Sequence, residues 1–280
     1  MRSAAVAQRH QVLVNQARAA YRLSVLRARE SLADFIELCG RDEDGNRIQL
    51  HYLHRCWIWH VNYAWSRGKH AMIMAPFNSG KTSSLAIPMA AYLIGQNVQN
   101  RLKIVCAGDG NAKLRLAAVK AMIESYEYRS VFPHVRPGQK WDTTEAFVAR
   151  EGNAVDPTLH ARGVLTEGIG GRADVVIFDD VCTQKNTEKE ANRHKITKFG
   201  RGTWLSRLDG DAARAMAFAT PWAQDDFSAD LKNDPNWVTL VQRVRVPDLG
   251  AYEQEVFGAG ADYADLFADF LDSIGARMAA

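Results

Sequence analysis

The eight residues Ala75-Pro-Phe-Asn-Ser-Gly-Lys-Thr82 stand between a short apolar run and a helical segment, and they constrain this chain more than any other stretch. They match the phosphate-loop pattern GxxxxGK[ST], with Ala75 where the first glycine is usual. Gly80 lets backbone N–H groups turn inward around phosphate oxygens. Lys81 can reach β and γ phosphates, and the Thr82 hydroxyl can complete a magnesium shell. The helix that follows presents its positive end to the anion. The expected ATP-binding set is therefore Ala75, Pro76, Asn78, Ser79, Gly80, Lys81 and Thr82, with Pro88 kinking the helix a little further on.

A second apolar run, Asp174-Val-Val-Ile-Phe-Asp179-Asp180, has the form of a Walker B strand. Open α/β sheets place ligands at the carboxyl ends of their strands, where Asp179 would arrive. Asp179 and Thr82 are the expected magnesium ligands. Asp180 would orient and deprotonate the attacking water, since phosphoryl transfer depends mainly on positioning and charge stabilisation. At least one strand lies between the two motifs in sequence, which is the additional-strand arrangement of P-loop ATPases. The implied cofactors are ATP and Mg²⁺.

Composition excludes several other classes. The longest apolar stretch, Leu85 to Ile94, is too short for a membrane span and contains Pro88. The arginine-dotted N-terminus has no continuous apolar core and is not a secretory signal. Cys39, Cys56, Cys106 and Cys182 form no CxxC pair, which argues against a zinc ribbon or a disulfide framework. His51, His54 and Cys56 lack the second ligand pair that a metal site needs. The net charge of +3 does not by itself indicate nucleic acid, although the start of the chain is basic and its end acidic.

Short apolar runs at Ala71–Ala75, Leu102–Ala107, Phe147–Val148, Asp174–Phe178, Ala215–Ala219 and Val238–Val244 alternate with helical segments. This predicts an α/β fold with a mainly parallel sheet covered by helices on both faces. Val14, Ala17, Tyr21, Val25, Leu32, Phe35 and Ile36 recur at helical spacing ahead of it. The expected organisation is a helical N-terminal extension over residues 1–45, a P-loop ATPase core over 46–247 and an acidic helical tail over 248–280.

Three further segments carry a family resemblance. Gly168-Ile-Gly-Gly-Arg-Ala-Asp174 resembles the G-x-R-x-D approach to the acidic strand in phage terminase large subunits. Thr220-Pro-Trp-Ala-Gln-Asp-Asp-Phe227 resembles their T-R-W segment, and Trp141 to Gly171 follows their spacing. The resemblance covers roughly residues 30 to 245. It implies a ring-forming homo-oligomeric motor that hydrolyses ATP to drive double-stranded viral DNA into a procapsid. A small terminase subunit and the portal would be partners, and the cytoplasm of an infected bacterial host the setting.

Carried over by position, Thr220 would sense the γ-phosphate and Trp222 would support its loop by packing. Two departures stand out: Phe77 and Pro221 occupy places where terminases often carry arginine. The missing charge directs attention to Arg162 and to Arg172, the latter as a catalytic arginine acting on a neighbouring subunit's nucleotide or as a salt-bridge partner of Asp174 or Asp179. Too few residues follow Val244 for an RNase H-like nuclease, so no nuclease activity is expected. DNA-phosphate contacts are expected from Lys185, Lys189, Arg193, His194, Lys195, Lys198 and Arg201. A helicase-like DNA motor and a non-hydrolysing nucleotide- or DNA-binding assembly subunit remain as alternatives.

Overall fold

The computed structural model describes residues 2–42, 44–152, 155–167, 170–244 and 252–273. Nine strands form one sheet in the order β3-β4-β5-β2-β6-β7-β1-β8-β9. They are β1 (His70–Met74), β2 (Leu102–Cys106), β3 (Pro137–Trp141), β4 (Glu145–Val148), β5 (Leu159–Gly163), β6 (Val175–Asp179), β7 (Arg214–Ala219), β8 (Trp237–Val244) and β9 (Tyr252–Phe257). From β5 to β8 every pairing is parallel, while β3, β4 and β9 are antiparallel additions at the two edges. The strand β7 lies between β1 and β6, so the phosphate loop and the acidic pair leave the sheet on strands separated by a third.

Alternate side chains of the central strands feed two cores. Ala71, Ile73, Ile104, Cys106, Ile177 and Phe218 face one, and Met72, Met74, Val105, Val176, Phe178 and Ala217 face the other. Strands buried on both faces read as continuous apolar runs, which is why β1, β2, β6 and β7 stand out in the sequence. The first face is covered by α2 (Leu32–Cys39), α3 (Tyr52–Ser66), α4 (Ile87–Gln96), α5 (Asp109–Glu124), α6 (Tyr126–Val131) and the C-terminal end of α1 (Arg2–Glu30). The second is covered by α8 (Glu190–Phe199) and α9 (Phe227–Lys232), with the single turn α7 (Gln184–Thr187) leading in.

The N-terminal helices divide at Ser31, whose side chain accepts the Asp34 N–H and caps α2. Phe35 is fully buried, with its ring centroid 5.3 Å from Tyr92 and 5.9 Å from Tyr128. Packing therefore makes α2 part of the main core, whereas α1 is largely exposed from Gln8 to Ser24.

Residues 248–280 depart from an all-helical tail: β9 joins the sheet before α10 (Tyr263–Ser273). The α10 helix docks on α3, with Phe270 stacked on Trp59, Phe267 tilted against it and the Tyr263 hydroxyl 3.1 Å from His60 Nδ1. Among the described residues no helix is long and apolar enough to cross a membrane.

Pro88 is accommodated by a π turn over Thr82–Ala86, directly after the phosphate loop, rather than by a break in α4. A wider turn shifts the hydrogen-bond ladder just where proline supplies no N–H. Further along α4, a Cβ at Gly95 would run into the Phe132 ring. Gly95→Ala is expected to lower the unfolding free energy by about 1–3 kcal/mol through overpacking, measured by urea denaturation; an unchanged midpoint would show that the contact relaxes freely.

Candidate nucleotide site

The carboxyl ends of β1, β6 and β7 bring together the residues singled out by the two motifs. After β1, the Ala75 N–H donates to Ala219 O at 3.0 Å, tying the start of the loop to the end of β7. The loop then turns through Asn78 (φ 59°) and Gly80 (φ 79°), both in the left-handed region. Such a turn points successive N–H groups into one concavity, the arrangement that cradles phosphate.

Lys81 is buried, and its ammonium donates to Ala75 O and Pro76 O at 2.9 Å each and to Thr220 Oγ1 at 3.1 Å. Burial lowers the Lys81 pKa, while Asp180 and Asp179 oppose that shift. The Thr82 hydroxyl donates to Asp179 Oδ1 at 2.8 Å, with Oδ2 at 3.1 Å. Thr220 Oγ1 in turn lies 3.3 Å from Asp180 Oδ1. Two chains of contacts, Asp179–Thr82 and Lys81–Thr220–Asp180, therefore run side by side across the ends of three strands. Asp180 itself adopts φ 43°, and its N–H is held by Phe218 O at 3.0 Å. Burial raises the Asp180 pKa, against the pull of Lys81 in the other direction.

Two members of this site were not singled out from the sequence as site residues. Arg115, on α5, places Nε 2.6 Å from Asp179 Oδ2. That carboxylate raises the Arg115 pKa, although burial, the largest single influence, pulls it down. His54, near the start of α3, donates from Nε2 to Ser79 O at 3.1 Å, and among the described residues its buried Nδ1 has no hydrogen-bond partner. Burial lowers the His54 pKa. No sequence signal marks Arg115, since it lies on an otherwise ordinary helix face. The cluster His51, His54 and Cys56 carries no pattern in the sequence that points to the phosphate loop; among the described residues no group of three or more His, Cys, Asp or Glu is placed to hold a metal ion.

Arg172 is not brought into the cluster. It precedes β6 at the opposite end of the strand from Asp179, and its guanidinium is 3.1 Å from Asp209. The salt-bridge alternative is therefore the one seen within the chain, but the partner differs from both expected ones. Asp174 is instead gripped by Arg101, at 2.7 and 3.0 Å. Gly168 and Ile169 lie outside the described residues. Arg162 donates from Nε to His160 Nε2 at 3.0 Å and makes no contact with the site.

Trp222 is 41% exposed, which corrects the expectation of a packed indole. The loop after Thr220 is organised by Asp226, which caps α9 by accepting the Ala229 N–H at 3.0 Å and also accepts the Trp222 and Ala223 N–H groups at 3.3 Å. Its neighbour Asp225 pairs with Arg193 of α8 at 2.7 Å. Among the expected DNA-contact residues, Arg193 and Arg201 are thus engaged internally, Arg201 with Asp230 and Asp234. Lys185, Lys189, Lys195 and Lys198 remain exposed.

The donor set fits a magnesium–nucleotide pair. A buried carboxylate and a hydroxyl in contact offer hard oxygen ligands, and a buried ammonium lies beside them. No family model matches this chain, and no curated protein matches it. Among solved structures the chain is similar to the crystal structure of the HK97 bacteriophage large terminase, with a TM-score of 0.55 and 14% sequence identity. The match covers 90% of this chain and 49% of that one, so the chain spans about half the length of the terminase. The fold is terminase-like.

Gly80 offers a direct test of the loop. At φ 79° a Cβ would sit 3.1 Å from Ser84 Oγ and 3.4 Å from His54 Nε2. Gly80→Ala should cost about 1–2 kcal/mol for the left-handed backbone alone, read from thermal or urea unfolding. A variant as stable as wild type would mean that the loop relaxes out of this turn.

Proposed function

We propose that this chain is a magnesium-dependent ATPase of the DNA-packaging motor type, the ATPase portion of a terminase large subunit. The observation that carries the reading is the meeting of Lys81, Thr82, Asp179, Asp180 and Thr220 at the carboxyl ends of three central strands, although the phosphate-loop and acidic motifs lie about a hundred residues apart in the chain. The terminase-like fold supports the narrower assignment.

In this reading Ala75, Pro76, Asn78, Ser79 and Gly80 shape the phosphate cradle. Lys81 leaves its carbonyl and Thr220 partners for the β and γ phosphates. Asp179 and Thr82 hold Mg²⁺, which supplies charge neutralisation to the phosphates when bound. Asp180 orients the attacking water and accepts its proton. Thr220, in contact with both Lys81 and Asp180, registers whether the γ-phosphate is present.

Double-stranded DNA is assigned as the track, with the exposed lysines of the α7–α8 region meeting backbone phosphates. A homo-oligomeric ring, a small terminase subunit, a portal and the cytoplasm of an infected bacterium complete the proposal. It assigns no DNA cleavage to these residues, whose described sheet is the phosphate-binding one.

The test is phosphate release by wild type, Lys81→Ala and Asp180→Asn at high chain concentration, with and without DNA. Wild type should turn over, and each variant should lose at least about two orders of magnitude, in line with removal of a preorganised charge or base. Wild-type release no faster than Lys81→Ala would replace the motor with a nucleotide-binding assembly subunit.

The raised Asp180 pKa sets a pH signature. The base must be ionised, so the acid limb of kcat/KM, which reports the nucleotide-free site, should lie above the ordinary aspartate value of about 4. A carboxyl whose pKa is raised on folding costs stability once pH exceeds its unfolded value. Asp180→Asn should therefore melt no lower than wild type near neutral pH while losing turnover. An acid limb in the ordinary range, or a lower melting temperature, would contradict this placement of Asp180.

A further inference from the structure

Resting on that ATPase reading, we propose that Arg115 is the arginine that stabilises the transferring phosphoryl group in this chain's own site. The phosphate loop carries no arginine: Phe77 stands 72% exposed where the charge would be. Lys81, the cation of the loop, is assigned to the β and γ phosphates and supplies no forked donor. Among the described residues, Arg115 is the guanidinium that contacts Asp179 of the acidic pair.

Its present contact is suited to exchange. Arg115 uses Nε to bind Asp179 Oδ2, and among the described residues its two terminal amino groups meet no hydrogen-bond acceptor. The planar, forked end of the guanidinium, the part that matches phosphate geometry, is therefore uncommitted. Thr82 binds the same Asp179 carboxylate, so Arg115 already borders the position where the motif places magnesium and the terminal phosphates.

Asp179 cannot serve a divalent cation and a guanidinium equally. With its charge shared, Arg115 is released beside the nearest dense negative charge, the phosphates themselves. A change of side-chain rotamer delivers it, because α5 stays anchored through Ala112, Leu116 and Val119 in the core. In the nucleotide-free chain Arg115 neutralises the buried Asp179; in the loaded chain it moves to the charge that develops on the γ-phosphoryl oxygens. No bond is made or broken by Arg115, and no proton is transferred to or from it.

The experiment compares wild type, Arg115→Ala and Arg115→Lys in two readouts: phosphate release, and affinity for fluorescent Mg-ADP with and without aluminium fluoride, which mimics the transferring phosphoryl group. Arg115→Ala should bind Mg-ADP within about threefold of wild type but lose the extra affinity that aluminium fluoride confers. Phosphate release should fall by about 10³-fold, the scale of an arginine that stabilises phosphoryl transfer. If circular dichroism shows that the alanine variant is unfolded, Arg115→Lys carries the test, since it keeps a cation beside Asp179 but lacks the fork. It should bind Mg-ADP like wild type and still lose most of the aluminium-fluoride gain. A folded variant with wild-type gain and wild-type release overturns this role and leaves Arg115 as a structural partner of Asp179. A wild-type chain that binds no Mg-ADP overturns the ATPase reading and this inference together.

Discussion

A carboxylate without solvent has to be satisfied by its neighbours, and Asp179 is such a group. Its charge is met by Arg115 from α5 and by the hydroxyl of Thr82 from the phosphate loop. Leaving a buried charge without its partner costs about 3–5 kcal/mol, more than most single contacts contribute. The carboxylate therefore holds the loop, α5 and β6 in fixed relation. The parallel sheet supplies the other half of the constraint, because it ends β1, β6 and β7 side by side. The buried strand β7 sets the distance between the phosphate-loop motif and the acidic pair.

The parts of the molecule readable in its sequence were those under strong local chemical constraint. A loop that must turn left-handed at Gly80 and end in Lys81-Thr82 leaves a distinct pattern, and so does an apolar strand that terminates in two aspartates. The strands β1, β2, β6 and β7 could be read because both of their faces are buried. In contrast, β5 (LHARG) and β3 (PGQKW) carry polar residues on a sheet flank, and their pairing rather than their composition makes them strands. β9 was hidden by an acidic composition that suggested only a solvated helix.

The site residues divide along the same line. Lys81, Thr82, Asp179, Asp180 and Thr220 are specified by motifs and come together in space. Arg115 and His54 enter only through the tertiary packing of α5 and α3, which no local pattern announces. Arg172 shows the converse. It lies close to the acidic strand in sequence, yet a β-strand carries its two ends far apart, and Arg172 stands at the end away from the phosphate loop.

Pro221 follows Thr220 directly, and its ring leaves the chain little torsional freedom at that point. Beyond it, the Asp226 cap and the Asp225–Arg193 clasp tie this segment to α9 and to α8, the helix that carries the exposed Lys195 and Lys198. The carboxyl end of β7 is thus joined to that lysine-bearing surface by a short span braced at both ends.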